Sequence, residues 1–74
     1  RDFSLLVEGV ESANQANDFL TNLDFGLKGH NSEYSARFVE LDEKGSATYA
    51  LHTSRAAADA TAKHVVGARD YVVL

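Results

Sequence analysis

The sequence predicts an α+β fold with the element order β-α-β-β-α-β. A strand-like run followed by a helix-like run occurs twice, over residues 3–8 and 12–23 and again over residues 47–52 and 54–66. A turn sequence joins the two halves, and an apolar run at residues 71–74 supplies a fourth strand. We therefore expect a four-stranded antiparallel sheet with two helices on one face, the ferredoxin-like arrangement. Many unrelated functions share this fold, so it predicts shape rather than activity.

The first strand and helix are the clearest elements. Apolar residues recur with period two in the strand. In the helix they recur every three or four residues, behind a capping box formed by Ser12 and Gln15. We expect Gly26 to end this helix. The predicted core positions are Phe3, Leu5 and Val7 in the strand and Ala13, Ala16, Phe19, Leu20 and Leu23 in the helix.

The second and third strands are predicted at residues 34–41 and 47–51. Between them Asp42-Glu43-Lys44-Gly45 suits a hairpin turn with Gly45 in the left-handed conformation. Alternation along the third strand divides its residues between two faces. The core face would carry Ala47, Tyr49 and Leu51, and the other face Thr48, Ala50 and His52.

The second helix is alanine-dense, with its N-cap at Thr53 or Ser54 and its end at Gly67. The fourth strand is apolar on both faces, which favours an inner position in the sheet. The predicted inward stripe of this helix is Ala57, Ala60, His64 and Val65.

Length and composition predict one small domain over residues 1–74. There is no Cys, so neither a disulfide nor a thiolate metal site contributes, and a dimer would supply further buried surface. Seven basic and eleven acidic residues give a net charge of −4, which favours solubility and disfavours attraction to nucleic acids and anionic membranes. No apolar run approaches the roughly 20 residues that span a bilayer, and we expect no membrane partner.

No residue pattern points to catalysis, a metal or a cofactor. His30, His52 and His64 lie in a loop, at a strand end and on a helix, without metal-ligand spacing. None of the serines stands in a nucleophile-elbow pattern. The sequence therefore predicts a protein that is not an enzyme and has no cofactor.

The segment Gly26-Leu27-Lys28-Gly29 has the spacing of the backbone-clamping loop of KH domains. In those domains the loop joins two helices, whereas here a strand follows. We interpret it as a helix cap and turn.

The third strand resembles the signature of RNA-recognition motifs in its initial Lys44-Gly45 and in Ala47. It departs from that signature at the base-stacking positions, where Ser46 and Thr48 replace aromatic residues. The resemblance implies a degenerate binder of single-stranded nucleic acid. Its contact residues would be Tyr34, Arg37, Phe38 and His52.

A non-enzymatic protein-association module is the leading functional hypothesis, through self-association or a protein partner. Its surface would be the sheet face opposite the helices, or an edge strand. A further alternative is a small-ligand regulatory domain, as in the ACT domains that share this topology, and a ligand-induced rise in melting temperature would test it. The predicted partner-binding residues are Leu6, Thr48, Ala50 and His52.

Overall fold

The chain folds into two helices packed against one antiparallel sheet in a computed structural model that describes residues 1–29, 33–67 and 69–74. The strand order is β2-β3-β1-β4. The predicted ferredoxin-like α+β fold is confirmed. The elements are β1 (Asp2–Val7), α1 (Ala13–Lys28), β2 (Ser35–Leu41), β3 (Ala47–His52), α2 (Arg55–Val66) and β4 (Tyr71–Val73).

β4 lies at an edge of the sheet, so the expected inner position was wrong. β1 pairs with β3 on one side and with β4 on the other, which makes β1 and β3 the inner strands. β4 is apolar on both faces for another reason. Tyr71 and Val73 are half-buried against the core, whereas Val72 and Leu74 are exposed on the opposite face.

The core fills the space between the sheet and the helices. The strand register places Phe3 opposite Leu51 and Leu5 opposite Tyr49, so the predicted core positions of β1 and β3 share one face. Tyr49 has no exposed surface, and its hydroxyl donates a hydrogen bond of 2.7 Å to the carbonyl oxygen of Ala16 in α1. This bond ties the centre of the sheet to the first helix.

α1 continues through Gly26 to Lys28, one turn beyond the expected end. The reason is packing, because the added turn buries Leu27 completely. Gly26 lies where α1 approaches α2, and a Cβ atom added there would be 2.8 Å from Cγ2 of Thr61. The glycine therefore permits a close helix–helix approach instead of ending the helix.

The residues of α2 that face the core differ from those that the spacing of its apolar residues predicted. Ala60 and His64 are exposed, although we expected both to face inward. In a helix built mostly of alanine, the sequence does not distinguish the apolar stripe from its neighbours, so packing decides which face is buried. The buried residues are Ala57, Ala58, Thr61, Ala62 and Val66.

The predicted caps and hairpin turn are present. Ser12 Oγ accepts a hydrogen bond from the Gln15 backbone N–H at 3.2 Å, while the Gln15 side chain accepts from the Glu11 N–H. Ser54, rather than Thr53, caps α2. Gly45 has a φ of 84°, in the left-handed region expected for the hairpin.

Candidate functional site

The sheet face turned away from the helices, called the open face below, carries the side chains that alternate with the core positions. The register aligns these side chains in rows that run across β2, β3, β1 and β4 in that order. The rows are Ser35, His52 and Asp2; then Arg37, Ala50, Ser4 and Leu74; then Glu40, Thr48, Leu6 and Val72; and finally Glu8 with Asp70.

The structure brings all the predicted partner-binding residues to this face. Leu6 lies directly opposite Thr48, and Ala50 and His52 follow along β3 in the next two rows. Leu6, Thr48 and Ala50 are half-buried and His52 is exposed. Their shared face was expected from alternation, while their role in binding stays a prediction.

An apolar patch occupies the β1–β4 side of the open face. Leu6 pairs with Val72, and Leu74 directly follows β4, where its backbone exchanges hydrogen bonds with Ser4. Val72 is 53% exposed and Leu74 64% exposed. With Glu8, Asp70 and the neighbouring residues they line a shallow basin of about 270 Å³. Contiguous exposed apolar surface of this kind is typical of association sites.

The sequence interpretation missed Val72 and Leu74 as members of this patch. Period-two alternation does separate them from Tyr71 and Val73. Because all four residues of this run are apolar, alternation alone does not show which pair faces the core. The register of β4 with β1 decides it, since Tyr71 lies opposite the buried Val7.

An exposed histidine–aspartate pair marks one end of the open face. The Nδ1 atom of His52 lies 2.8 Å from Oδ1 of Asp2, and both side chains are largely exposed. The hydrogen bond to His52, together with the charge that this ring carries when protonated, lowers the pKa of the Asp2 carboxyl below its ordinary value. Solvent screens such a pair strongly, so it contributes little to stability.

Further charged side chains on the open face have no ion-pair partner in the described part of the chain. The guanidinium of Arg37 and the carboxylates of Glu8 and Glu40 make no ion pair with any residue the structure describes. Arg37 lies toward the end that carries His52, and Glu8 and Asp70 lie at the other end. The open face therefore carries groups of both signs toward one end, where the Asp2 carboxylate lies beside His52, and the carboxylates of Glu8 and Asp70 at the other.

The residues proposed for nucleic-acid contact do not share one surface. Phe38 pairs with Tyr49 on the core side of the sheet, with ring centroids 5.7 Å apart. Tyr34 precedes β2 and packs partly against the core, with Lys28 Nζ 5.9 Å from its ring centroid. Arg37 and His52 alone lie on the open face, which carries no Phe, Tyr or Trp among the described residues.

The three histidines do not form a ligand set among the described residues. His52 lies on the sheet and His64 on the exposed side of α2, while His30 is outside the described residues. Across ranges 1–29, 33–67 and 69–74, no group of three His, Asp or Glu side chains is arranged to hold a metal ion. In the same ranges, neither helix is long and apolar enough to cross a membrane.

A second apolar feature lies on the helix side of the molecule. Phe25 of α1 is 78% exposed and borders a groove of about 410 Å³ with His64 and Val65 of α2. Its large apolar neighbours in α1 and α2 are buried or half-buried, so this feature is one exposed ring rather than a contiguous patch. Single exposed apolar residues are common on protein surfaces.

Comparisons of this chain with protein-family models, with curated proteins and with solved structures give no match.

Proposed function

We propose that this protein is a non-enzymatic association module that binds another protein surface through the open face. The observation that carries the proposal is the contiguous apolar patch of Leu6, Val72 and Leu74, which neither helix covers. Removing such a patch from water supplies about 25 cal/mol for each Å² buried. The surrounding Ser4, Thr48 and Ala50 side chains are short, so a flat partner can approach closely.

The open face is a better candidate than either sheet edge. The β2 edge is interrupted by a register irregularity between Phe38 and Glu40, and β-bulges of this kind discourage pairing with an added strand. The β4 edge has only the three residues Tyr71–Val73. Each edge therefore offers a short ladder of backbone hydrogen bonds, whereas the open face extends across all four strands.

Replacing Val72 by lysine is expected to remove binding while leaving the fold intact. Val72 is half-exposed at an edge, so the substitution costs little stability, but it places a charge in the centre of the patch. The measurement selects extended peptides from a random display library against the wild-type protein and then compares their affinities for the variant. We expect a loss of roughly tenfold or more, the equivalent of about 1.4 kcal/mol.

Phe25→Lys is the matched control, because it introduces the same charge in place of a more exposed apolar residue on the helix side. Selected peptides should bind this control as they bind the wild type. Peptides that lose affinity for Phe25→Lys and keep it for Val72→Lys would contradict the proposal. So would salt-dependent binding of single-stranded RNA that requires Arg37 and His52, with no peptide ligand at the open face.

A further inference from the structure

We infer that the partner of the open face is a second copy of this chain, packed face to face with its strands running in the opposite direction. This inference rests on the proposed function, since it names the occupant of the same surface. It places Arg37 of each copy against Glu40 of the other, and the apolar edges formed by β4 against each other.

Charge complementarity is the first argument for a second copy. Arg37 and Glu40 lie on the same strand in adjacent rows of the open face, and neither makes an ion pair with a described residue. Consider a two-fold axis that lies between the two facing sheets, perpendicular to the strands and midway between these two rows. Rotation about it places each strand over the same strand of the other copy and exchanges the two rows. Arg37 then faces Glu40 twice, once from each copy.

The same operation sets Asp2 of each copy opposite Glu8 of the other at the two ends, where both carboxylates are exposed and solvent screens their repulsion. It matches the uncharged part of the face by size and polarity. Leu74 faces Val72, so the apolar edge covers itself. Leu6 faces the small side chain of Ser4, and Thr48 faces Ala50. Two packed sheets are about 10 Å apart, a distance at which large side chains require small ones opposite.

Packing the two copies with their strands parallel is unfavourable, because it leaves charged side chains without partners. A two-fold axis parallel to the strands would place β2 over β4, so that Arg37 faced Leu74 and Glu40 faced Val72. Charged groups would then lose water without gaining a partner, which is unfavourable. That orientation would place His52 against Asp2 of the other copy, but these two side chains already pair within each copy. The two contacts between Arg37 and Glu40 therefore favour the antiparallel arrangement.

The face is small, so the dimer is expected to be weak. Four strands about 4.8 Å apart form a surface that buries less than the about 1,200 Å² of stable complexes. We expect dissociation constants on the order of 10⁻⁵ to 10⁻³ M, within reach of sedimentation and NMR at high protein concentration.

A charge exchange between two variants tests the inference. Arg37→Glu puts two carboxylates at each contact, and Glu40→Arg puts two guanidinium groups there. Each variant alone should self-associate at least tenfold more weakly than the wild type. An equimolar mixture should recover association as a one-to-one heterodimer, because every contact is again a pair of opposite charges. Sedimentation equilibrium with one labelled variant measures the self-association of each variant and the formation of the heterodimer.

Matched controls carry the same charge changes on the helices. Lys63→Glu and Asp18→Arg alter exposed side chains of α2 and α1, and their self-association should equal that of the wild type. Thermal melting verifies that each variant is folded. Arg37→Gln provides a milder second variant, with a smaller loss expected.

The remaining outcomes overturn the inference in distinguishable ways. A wild-type protein that stays monomeric to about 1 mM, yet binds peptides at the Val72 surface, overturns the second copy and leaves the proposed function standing. Self-association that Arg37→Glu does not weaken overturns the antiparallel arrangement. Absence of both self-association and Val72-dependent peptide binding overturns the inference together with the proposed function.

Discussion

Tyr49→Ala is expected to lower the free energy of unfolding by about 3–5 kcal/mol. Tyr49 is the largest fully buried side chain, at the centre of β3, and its ring packs against Phe38. Its removal opens a cavity between the sheet and α1 and deletes the hydrogen bond to Ala16. Domains of this size have about 4–11 kcal/mol of total stability, so chemical denaturation should show a largely unfolded or marginal variant. A midpoint close to that of the wild type would contradict this packing.

Tyr49→Phe isolates the hydroxyl group in the same experiment. We expect a loss of about 1 kcal/mol, since the ring remains and only the bond to the Ala16 carbonyl is removed. Burial raises the pKa of the Tyr49 phenol from 10.0 to about 12. The unfolded chain therefore ionises first, and wild-type stability should fall between about pH 10 and about pH 12. The phenylalanine variant should lose less stability over that range.

Gly26→Val is expected to destabilise the protein by about 1–3 kcal/mol through overpacking. A Cβ atom at Gly26 would lie only 2.8 Å from the Thr61 methyl group, and valine adds two further carbons there. The buried Thr61 hydroxyl also has no hydrogen-bond partner among the residues that the structure describes. Thr61→Ala should therefore restore part of the lost stability in the double variant. Thermal melting of both single variants and the double variant gives the coupling between the two positions.

Gly29→Ala is the control for Gly26, one turn further along the chain. Gly29 has an ordinary helical φ of −72°, and an added Cβ would meet its nearest atom, the Gly26 carbonyl oxygen, at 3.5 Å. We expect a change within about 0.5 kcal/mol. Equal effects at Gly26 and Gly29 would contradict a close α1–α2 approach at Gly26.

Local sequence patterns predicted the fold because the spacing of apolar residues and the positions of turn residues indicate the same elements along most of the chain. Alternation in β1 and β3 assigned Leu5 and Tyr49 to the core, and Gly45 marked the hairpin. The end of α1 required tertiary information. Glycine commonly ends helices, so the sequence alone suggests that α1 stops at Gly26. The close approach of Thr61 in α2 explains why a glycine lies inside the helix instead.

The open face was predicted in part, for a similar reason. Leu6, Thr48, Ala50 and His52 follow from alternation within their own strands. Val72 and Leu74 depend on the register between β4 and β1, which residues 71–74 do not reveal because all four are apolar. The aromatic residues of the nucleic-acid hypothesis do not lie on the open face. Phe38 occupies a core-facing position of β2, and Tyr34 lies before that strand.

Association between open faces is tested most directly by backbone amide NMR spectra of the wild-type protein, recorded from about 10 μM to about 1 mM. We expect concentration-dependent shifts at Leu6, Ala50 and Val72, with α1 and α2 unchanged, because only the open face becomes buried. Shifts confined to the groove beside Phe25, or spectra that do not change with concentration, would contradict association of two copies through this face.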